Sequence, residues 1–401
     1  MISLPTRLRQ LLTPHPGWYA LFSAIALSCI GVATIGTAGQ PANAAMQARF
    51  WLPVSLAIMA VCVIPRPRWI GYASYPLAVA VLFVLILMAL PFMPRAIVPV
   101  RNGARSWISL GSITLQPSEL MKVLFVLSMA WYLRYRSSYR TLRGLLVPFF
   151  IMFIPVALIL KQPDLGTALL FAHTLFVMLV AAGAKLRHLG FLLGLVVLAV
   201  AVNVAIALWA PDNMQLLRPH QRARIVSMVS LARGDTRYIK STAYQQDKAM
   251  TLVSAGGLSG YGAEESATIV KFNKVPHVHN DMIFAVIANR WGVLGVLGIL
   301  GLYLTLTGSF LLVAARSKDP LAQLACVGFA GMIFTQVVIN IGMNIGMLPV
   351  TGITLPFISY GGSSLVATFI MVGLTLNFAS RRPAMLARPS FEFDNPDAIF
   401  Q

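Results

Sequence analysis

The sequence predicts an all-α polytopic membrane protein with about ten transmembrane helices, one large extracytoplasmic loop and both termini in the cytoplasm. Of its 401 residues, 58% are hydrophobic and only 11% are charged. Apolar runs of about 20 residues recur along the chain, and this length matches the hydrocarbon thickness of a bilayer. This composition excludes a soluble globular domain.

Ten apolar segments are predicted to cross the membrane: 17–36, 50–65, 75–93, 117–133, 145–160, 166–183, 189–210, 291–315, 323–346 and 363–380. The first of them resembles a secretory signal peptide, because Arg7 and Arg9 precede it and the small-residue run PANAA follows at 41–45. Its apolar stretch is longer than a usual signal core, and many spans follow. We therefore expect it to be retained as the first span.

Basic residues in the short connections set the predicted orientation, since cytoplasmic loops carry an excess of Lys and Arg. The connection 94–116 is an exception, with three arginines on the predicted outer side. The predicted domains are a cytoplasmic segment 1–16, transmembrane helices 1–7 over 17–210, an extracytoplasmic loop 211–280, an interfacial helix with transmembrane helices 8–10 over 281–382, and a disordered cytoplasmic tail 383–401.

The net charge of +19 indicates membrane lipids, and no nucleic acid, as a partner. Basic residues in a membrane protein usually mark cytoplasmic loops, where anionic headgroups attract them. No helix-turn-helix, zinc finger or basic stripe supports binding to nucleic acid.

Carboxylates gather on the predicted outer side of the membrane. The chain has twelve acidic residues, and the eight on that side are Glu119, Asp164, Asp212, Asp235, Asp247, Glu264, Glu265 and Asp281. An ion-coupled transporter would more often place a carboxylate near the midplane. Only His173 and Asn203 stand out as polar candidates there. The distribution favours chemistry at the outer membrane surface.

Asp281 follows two histidines in the stretch VPHVHNDMIFAVIANRWG. As one helix, residues 282–315 would be about 51 Å long, which exceeds the roughly 30 Å hydrocarbon core. A break near Asn289–Arg290 resolves the mismatch and leaves 282–288 as a short helix at the outer interface. Asp281 would then either cap this helix or carry chemistry. His277 and His279 lack the spacing and the third ligand of a zinc site, so no structural zinc site is expected.

Three further outer stretches carry candidate residues. In RNGARSWISLGSITLQPSELMK, Pro117 begins a helix, and Arg101, Arg105 and Lys122 flank the single acid Glu119. In KQPDLGTA, Asp164 belongs to a tight turn.

The third stretch, GMLPVTGITLPFISYGGSS at 346–364, is uncharged. Irregular backbone of this kind must line a cavity or be buried in protein. Gly361 and Gly362 permit close approach to a ligand or to another segment. In the large loop, Arg222, Arg224 and Lys248 are suited to an anionic group, although a solvated basic loop is the simpler explanation for any one of them.

These stretches, in this order, resemble the SEDS family of cell-wall polymerases, whose branches include RodA and FtsW. The motifs are GARSWISLGSITLQPSELMK, KQPDLGTA, the stretch from Tyr244-Gln245-Gln246 to Gly256-Gly257, HNDMIFAVIA, and GMLPVTGITLPFISYGGSS. The resemblance covers residues 15–382. KQPDLGT is more like RodA, whereas LPFISYGGSS is shared by both branches or leans to FtsW, and we favour a RodA-like protein.

The resemblance implies a peptidoglycan glycosyltransferase of the cytoplasmic (inner) membrane that polymerises lipid II, a disaccharide-pentapeptide on undecaprenyl diphosphate, for cell elongation or division. Asp281 matches the family's catalytic aspartate and is the candidate general base. The candidate substrate-binding residues are Arg101, Arg105, Glu119, Lys122, Asp164, Arg222, Lys248, Ser359, Gly361 and Gly362. The implied partner is a class B penicillin-binding protein. No cofactor is certain, and a divalent cation such as Mg²⁺ stays open.

Two alternatives from other functional classes remain: a lipid II flippase, and a scaffold of the elongation or division complex. The sequence also departs from the family's aspartate motif. His277 replaces a glutamate, Asn280 a threonine and Met282 a phenylalanine, and Asn289-Arg290 stand in place of an acidic pair. Arg290 either compensates for those acids or contacts a lipid headgroup.

Overall fold

The structure is a computed structural model, which describes residues 13–90, 93–94, 96–100, 105–111, 113–209, 222–223, 225–226, 229–230, 244–273, 275 and 278–381. The predicted tail 383–401, Arg101, His277, most of the segment 1–16 and much of the loop 211–280 lie outside the described residues. The division into domains and the placement of the termini therefore stay predictions.

Twelve α-helices are present in the described part of the chain: α1 (Gly17–Thr37), α2 (Pro41–Cys62, with a π-helical turn at Gln47–Trp51), α3 (Pro67–Ala89), α4 (Pro117–Leu133), α5 (Leu146–Lys161), α6 (Leu165–Ala181), α7 (Leu186–Trp209), α8 (Tyr244–Ala255), α9 (Gly262–Asn273), α10 (Ile283–Arg316), α11 (Pro320–Asn344) and α12 (Gly362–Ser380). Short 3₁₀ turns occupy Ser138–Arg140 and Arg143–Leu145. The strands β1 (Ile108–Leu110) and β2 (Ile113–Leu115) form an antiparallel hairpin before α4.

The prediction of an all-α polytopic membrane protein is confirmed. Within the described residues, eight helices are long and apolar enough to cross a membrane: α1, α2, α3, α5 with its preceding turn, α7, α10, α11 and α12. Helix α6 is apolar but shorter, and α4 has the same 17 residues and carries Glu119 and Lys122 near its start. Each of the ten predicted spans corresponds to one of these helices.

The second and third spans begin earlier than predicted. Their helices start at Pro41 and Pro67, and both prolines occupy the first helical turn, where the missing N–H costs no hydrogen bond. Pro76 lies inside α3 without ending it, as membrane helices tolerate. Hydropathy finds the apolar centre of a span, whereas the proline positions set where these two helices begin.

Helices α11 and α12 form the centre of the bundle. In their apolar stretches, 67% and 83% of the residues are buried, against 6% in α7. Helix α11 packs against α10, α6 and α4, and α12 packs against α2, α4 and α1. The polar side chains of Thr335, Gln336, Asn340 and Asn344 on α11 are accordingly buried in protein.

Helix α10 is kinked at Gly292, which has φ 62° and ψ −162°, a conformation that favours glycine. The predicted break near Asn289–Arg290 therefore exists, two residues further along. The kink frees backbone groups, and a glycine-rich segment binds them. The N–H groups of Val293 and Leu294 donate to the carbonyls of residues 257–258, at 3.0 and 3.2 Å, which satisfies buried polar backbone.

The glycine-rich segment approaches α10 so closely that side chains would not fit. A Cβ added at Gly256 would lie 2.0 Å from the carbonyl oxygen of Ala288, and one at Gly260 would lie 2.3 Å from that of Arg290. Helices α8 and α9, on either side of this segment, also pack against α10. Residues 282–288 are consequently buried, each with at most 4% of its surface exposed. The short helix is thus covered by protein.

Candidate functional site

A cavity of about 450 Å³ lies where α4, α6 and α11 meet the segments 280–281 and 351–354. Four of the predicted site residues line it together: Asp281, Glu119, Lys122 and Asp164. They come from three sequence regions that are far apart in the chain. The cavity therefore brings one carboxylate at the start of α10 together with a cation and two further carboxylates.

Asp281 is held by its backbone. Its carbonyl oxygen accepts hydrogen bonds from the side-chain amides of Asn340 and Asn344 on α11, each at 3.0 Å. The amide nitrogen of Gln245 on α8 lies 3.5 Å from the Oδ2 atom of Asp281. Met282, and not Asp281, occupies the N-cap position of α10. Asp281 thus lines the cavity from a fixed main chain, next to the residue that takes the N-cap position of α10.

The segment before Asp281 is fixed from a second side. The Ser359 hydroxyl donates to the carbonyl of Asn280, at 2.6 Å, and accepts from the backbone N–H of Leu355, at 2.7 Å. The N–H of Tyr360 donates to the carbonyl of His279, at 2.9 Å. Ser359 therefore supports the aspartate segment, and it is Tyr360 that lines the cavity.

The loop that supplies these contacts has an unusual backbone. Phe357 is buried and has φ 64°, a left-handed conformation that is rare for a bulky residue. Such conformations persist where the surrounding structure over-determines them. The hydroxyl of Tyr303 on α10 donates to the carbonyl of Pro356, so the loop is anchored beside Phe357 as well as at Ser359.

Glu119 and Lys122 form a buried ion pair one helical turn apart on α4. The Lys122 Nζ lies 2.8 Å from the Glu119 Oε2, and the side chains are 2% and 9% exposed respectively. Lys122 also donates to the Oε1 of Gln336, at 3.4 Å, and Gln336 in turn donates to the carbonyl of Thr354, at 2.9 Å. Because burial of a charge is costly without a partner, this network fixes the ammonium group at the cavity wall.

Asp164 is the N-cap residue of α6. Its two carboxylate oxygens accept from the backbone N–H and the hydroxyl of Thr167, at 2.9 and 2.7 Å. Although the side chain is partly open to the cavity, desolvation by the surrounding protein raises its pKa, and the nearby charge of Glu119 adds to the rise, whereas the Thr167 hydrogen bonds and Lys122 oppose it. Asp164 therefore caps α6 and also lines the cavity.

Three other predicted cations within the described residues do not line the cavity. Arg105 donates to the carbonyl of Leu90, at 2.9 Å, and Arg222 donates to that of Ala207, at 3.1 Å. The ammonium of Lys248 lies 5.8 Å from the centre of the Tyr244 ring. None of these three is among the residues that line the cavity, and their predicted contact with substrate stays a prediction.

The glycine pair after Tyr360 packs against α2. The N–H of Gly361 donates to the side-chain oxygen of Gln47, at 3.3 Å. A Cβ at Gly362 would come within 2.1 Å of the Trp51 ring. Of the two possibilities that the sequence left for these glycines, close approach to another segment is the one that the structure supports.

Arg290, where the resemblance leads one to expect an acid, binds the end of α1. Its guanidinium donates to the carbonyl of Ala33 and the hydroxyl of Thr37, at 2.8 and 2.6 Å. A cation at a helix C-terminus is favourable because the last carbonyl groups lack partners and the helix dipole is negative there. Arg290 thus ties the kinked part of α10 to α1.

Sequence reasoning missed the polar face of α11. Gln336, Asn340 and Asn344 recur every four residues, and this spacing places them on one side of a helix. This periodicity within an apolar segment is visible in the sequence and indicates a polar helix face that packs against protein. The two midspan residues that the sequence singled out have local partners: His173 contacts the Thr335 hydroxyl, and Asn203 donates to the Ala199 carbonyl.

No group of three or more His, Cys, Asp or Glu side chains able to hold a metal ion occurs among the described residues. Around the cavity, Glu119 is paired with Lys122, and Asp164 with Thr167. Asp281 fits the role of a single carboxylate ligand to Mg²⁺, an ion that commonly completes its shell with substrate phosphates and water.

Comparison with known proteins gives a consistent result. A family model described as cell cycle protein, FtsW/RodA/SpoVE, matches residues 16–383. The chain is 35% identical over 305 residues to stage V sporulation protein E of Bacillus subtilis, covering 75% of this chain and 77% of the relative. It is 32% identical over 321 residues to a probable peptidoglycan glycosyltransferase FtsW of Coxiella burnetii, covering 79% and 80%.

A solved chain from a peptidoglycan synthase complex, described as coordinating polymerization and crosslinking, has a similar fold. The TM-score is 0.73 at 32% sequence identity, and the match covers 90% of this chain and 96% of that one.

Proposed function

Because this chain belongs to the FtsW/RodA/SpoVE family of cell cycle proteins, we propose that it polymerises lipid II into glycan strands at the outer face of the cytoplasmic membrane. It is a peptidoglycan glycosyltransferase, as its FtsW relatives are named. We assign catalytic roles to Asp281 and Lys122 because Asp281 and the Glu119–Lys122 pair line one cavity.

The proposed chemistry is a direct displacement at the anomeric carbon of the donor sugar. The acceptor hydroxyl attacks this carbon while Asp281 takes the hydroxyl proton as general base. The bond from the anomeric carbon to the diphosphate oxygen breaks, and the electron pair leaves with the diphosphate. One displacement inverts the anomeric configuration.

Lys122 supplies the positive charge that the leaving group needs. The diphosphate gains negative charge as the bond breaks, and a cation already in position stabilises that charge without reorganisation. The hydrogen bond to Gln336 and the ion pair with Glu119 keep the ammonium in place. If a divalent cation such as Mg²⁺ binds, Asp281 would hold it, and the ion would supply further positive charge for the leaving group. No proton transfer depends on it.

The proposed partner is a class B penicillin-binding protein that crosslinks the new strands. Support comes from the similar chain found in a synthase complex that coordinates polymerization and crosslinking. Whether the chain serves elongation, as a RodA-like protein, or division stays a prediction based on KQPDLGT.

The function is tested by incubating the purified protein with lipid II, with and without its crosslinking partner, and by resolving the products on a gel. We expect ladders of glycan strands. If lipid II in liposomes instead changes leaflet and no polymer forms, the flippase alternative is correct. If the protein neither makes polymer nor moves lipid II between leaflets, even with the partner present, the scaffold alternative is the one that remains.

The asparagine pair on α11 is expected to act as positioning residues for Asp281. Replacing Asn340 with alanine should lower kcat about tenfold with little change in KM, because misplacement of a reacting group by about 1 Å can cost up to about 10²-fold. The amide is not in contact with the reacting atoms, so affinity for lipid II should persist. Initial polymerisation rates over a range of lipid II concentrations measure both constants.

Two comparisons separate positioning from a general loss of structure. Asn340→Asp keeps an oxygen but offers no amide donor, so it should behave like the alanine variant. Asn203→Ala removes an amide of the same kind from α7, where it bonds only to its own helix, and should leave kcat unchanged. Equal losses in Asn340→Ala and Asn203→Ala would contradict the positioning role.

A further inference from the structure

A second polar cavity lies at the other end of α10. From the kink at Gly292 to Arg316, 24 residue steps correspond to roughly 36 Å of helix. This length is close to the hydrocarbon thickness of about 30 Å. The cavity at Arg316 is therefore at the membrane face opposite to Asp281, and the glycosyl transfer does not involve it.

This cavity is preformed. It has a volume of about 410 Å³ and lies between the start of α1 and the end of α10, lined by residues 14–16, Trp18, Tyr19, Leu312 and Arg316. The Ser309 hydroxyl on α10 donates to the carbonyl of Pro16 at 2.6 Å, which fixes the wall against the helix. A smaller cavity of about 40 Å³ shares Pro16 and Arg316 and extends to the end of α12.

The charge at the cavity is positive. The exposed guanidinium of Arg316 forms no hydrogen bond or ion pair with another residue of the described chain. The nearest acid along the chain, Asp319, accepts from the backbone N–H of Leu321 and caps α11. Lys318 adds a second exposed cation close by, and the imidazole of His15 lines the same cavity. An anion is therefore the complementary ligand.

The rim of the cavity is apolar and aromatic. Trp18 and Tyr19 are 40% and 60% exposed, and Phe22, one turn further into the membrane on α1, is 68% exposed. Leu312 on α10 is 45% exposed. Aromatic side chains with a polar edge are typical of the membrane interface. The surface thus offers a cation at headgroup level and an apolar path from it along α1.

We propose that this cavity binds the phosphate of an anionic phospholipid. The Arg316 guanidinium holds the phosphate through paired N–H donors, a geometry that lysine does not provide. The glycerol backbone contacts Trp18 and Tyr19, and one acyl chain follows Phe22. The site selects lipids with net negative charge over zwitterionic ones, because no described acid at the cavity balances a choline ammonium group.

Native mass spectrometry of the full-length protein tests this proposal, with phosphatidylglycerol and phosphatidylcholine of the same acyl chains as probes. In Arg316→Gln, the apparent Kd for the first phosphatidylglycerol should rise about fivefold, the factor associated with one basic residue near an anionic surface. Arg187→Gln removes another exposed arginine, at the start of α7, and should leave this Kd unchanged. Arg316→Lys should give an intermediate value.

A second measurement locates the lipid. Brominated phosphatidylglycerol should quench the tryptophan fluorescence of the wild type. Part of this quenching should saturate at low lipid concentration, and Trp18→Phe should remove most of that part. If Arg316→Gln and Arg187→Gln lose equal affinity for phosphatidylglycerol, general surface charge explains the binding and the proposal is overturned. Equal affinity for phosphatidylcholine, or competition by inorganic phosphate at the same concentration, would also overturn it. Retained glycan synthesis in each variant shows that it is folded.

Discussion

Replacing Asp281 with asparagine is expected to abolish glycan synthesis while leaving the protein folded. The change is nearly isosteric, and the backbone carbonyl of residue 281 keeps its bonds to Asn340 and Asn344. An amide does not accept the proton of the attacking hydroxyl, and loss of a general base typically lowers a rate by about 10² to 10⁴. Gel analysis of lipid II products measures the loss, and thermal unfolding in detergent checks the fold.

Asp247→Asn is the matched control for this variant. Asp247 lies on α8, two residues from the Gln245 that approaches Asp281, but it does not line the cavity. The Asp247→Asn variant loses one negative charge, as Asp281→Asn does, and it should retain full activity. Ladders of wild-type intensity from Asp281→Asn would show that this carboxylate is not the base, and would direct attention to Glu119 and Asp164 in the same cavity.

Variants of the Glu119–Lys122 pair are expected to affect the stability of the protein and its polymerase activity differently. Lys122→Met leaves the buried Glu119 without its cation, and breaking a buried ion pair from one side costs about 3–5 kcal/mol. The double variant Glu119→Gln/Lys122→Met removes both charges and should recover most of the lost stability, because replacement of a whole buried pair is often nearly neutral. It should stay inactive, because the diphosphate then loses its cation.

Denaturant unfolding in detergent and lipid II polymerisation, applied to all three proteins, measure the two effects separately. Lys122→Arg keeps the charge and is the conservative comparison, with partial activity expected. A stable double variant that still makes glycan ladders would exclude Lys122 from leaving-group stabilisation and reduce the pair to a structural element of α4. Loss of stability in the double variant equal to that in Lys122→Met would contradict the ion-pair argument.

The membrane spans and four residues of the cavity could be predicted from the sequence. Apolar length reports directly on bilayer thickness, so each predicted span found its helix. Carboxylates are so rare in this chain that Asp281, Glu119 and Asp164 could be singled out individually, and the order of motifs identified the family. The break in α10 also followed from length alone, since one straight helix from residue 282 to 315 was too long for the membrane.

The shape of the site was decided by tertiary structure. Asn340 and Asn344 hold Asp281 from about 60 residues away along the chain, and Ser359 holds Asn280 from 79 residues away. Such bonds depend on which helix faces meet, and hydropathy cannot report this because α11 and α7 are both apolar while only α11 is surrounded by protein.

The same reason explains the glycines and the arginines. Gly256 and Gly260 are required by the backbone of α10, more than 25 residues later in the chain, and Arg290 binds α1 across the bundle. Arg105 and Arg222 have the right chemistry for a diphosphate, but they bond to nearby carbonyl groups and do not line the cavity. The sequence by itself thus determined which segments cross the membrane and which residues have suitable chemistry. Packing between distant segments decided which of those residues share one cavity.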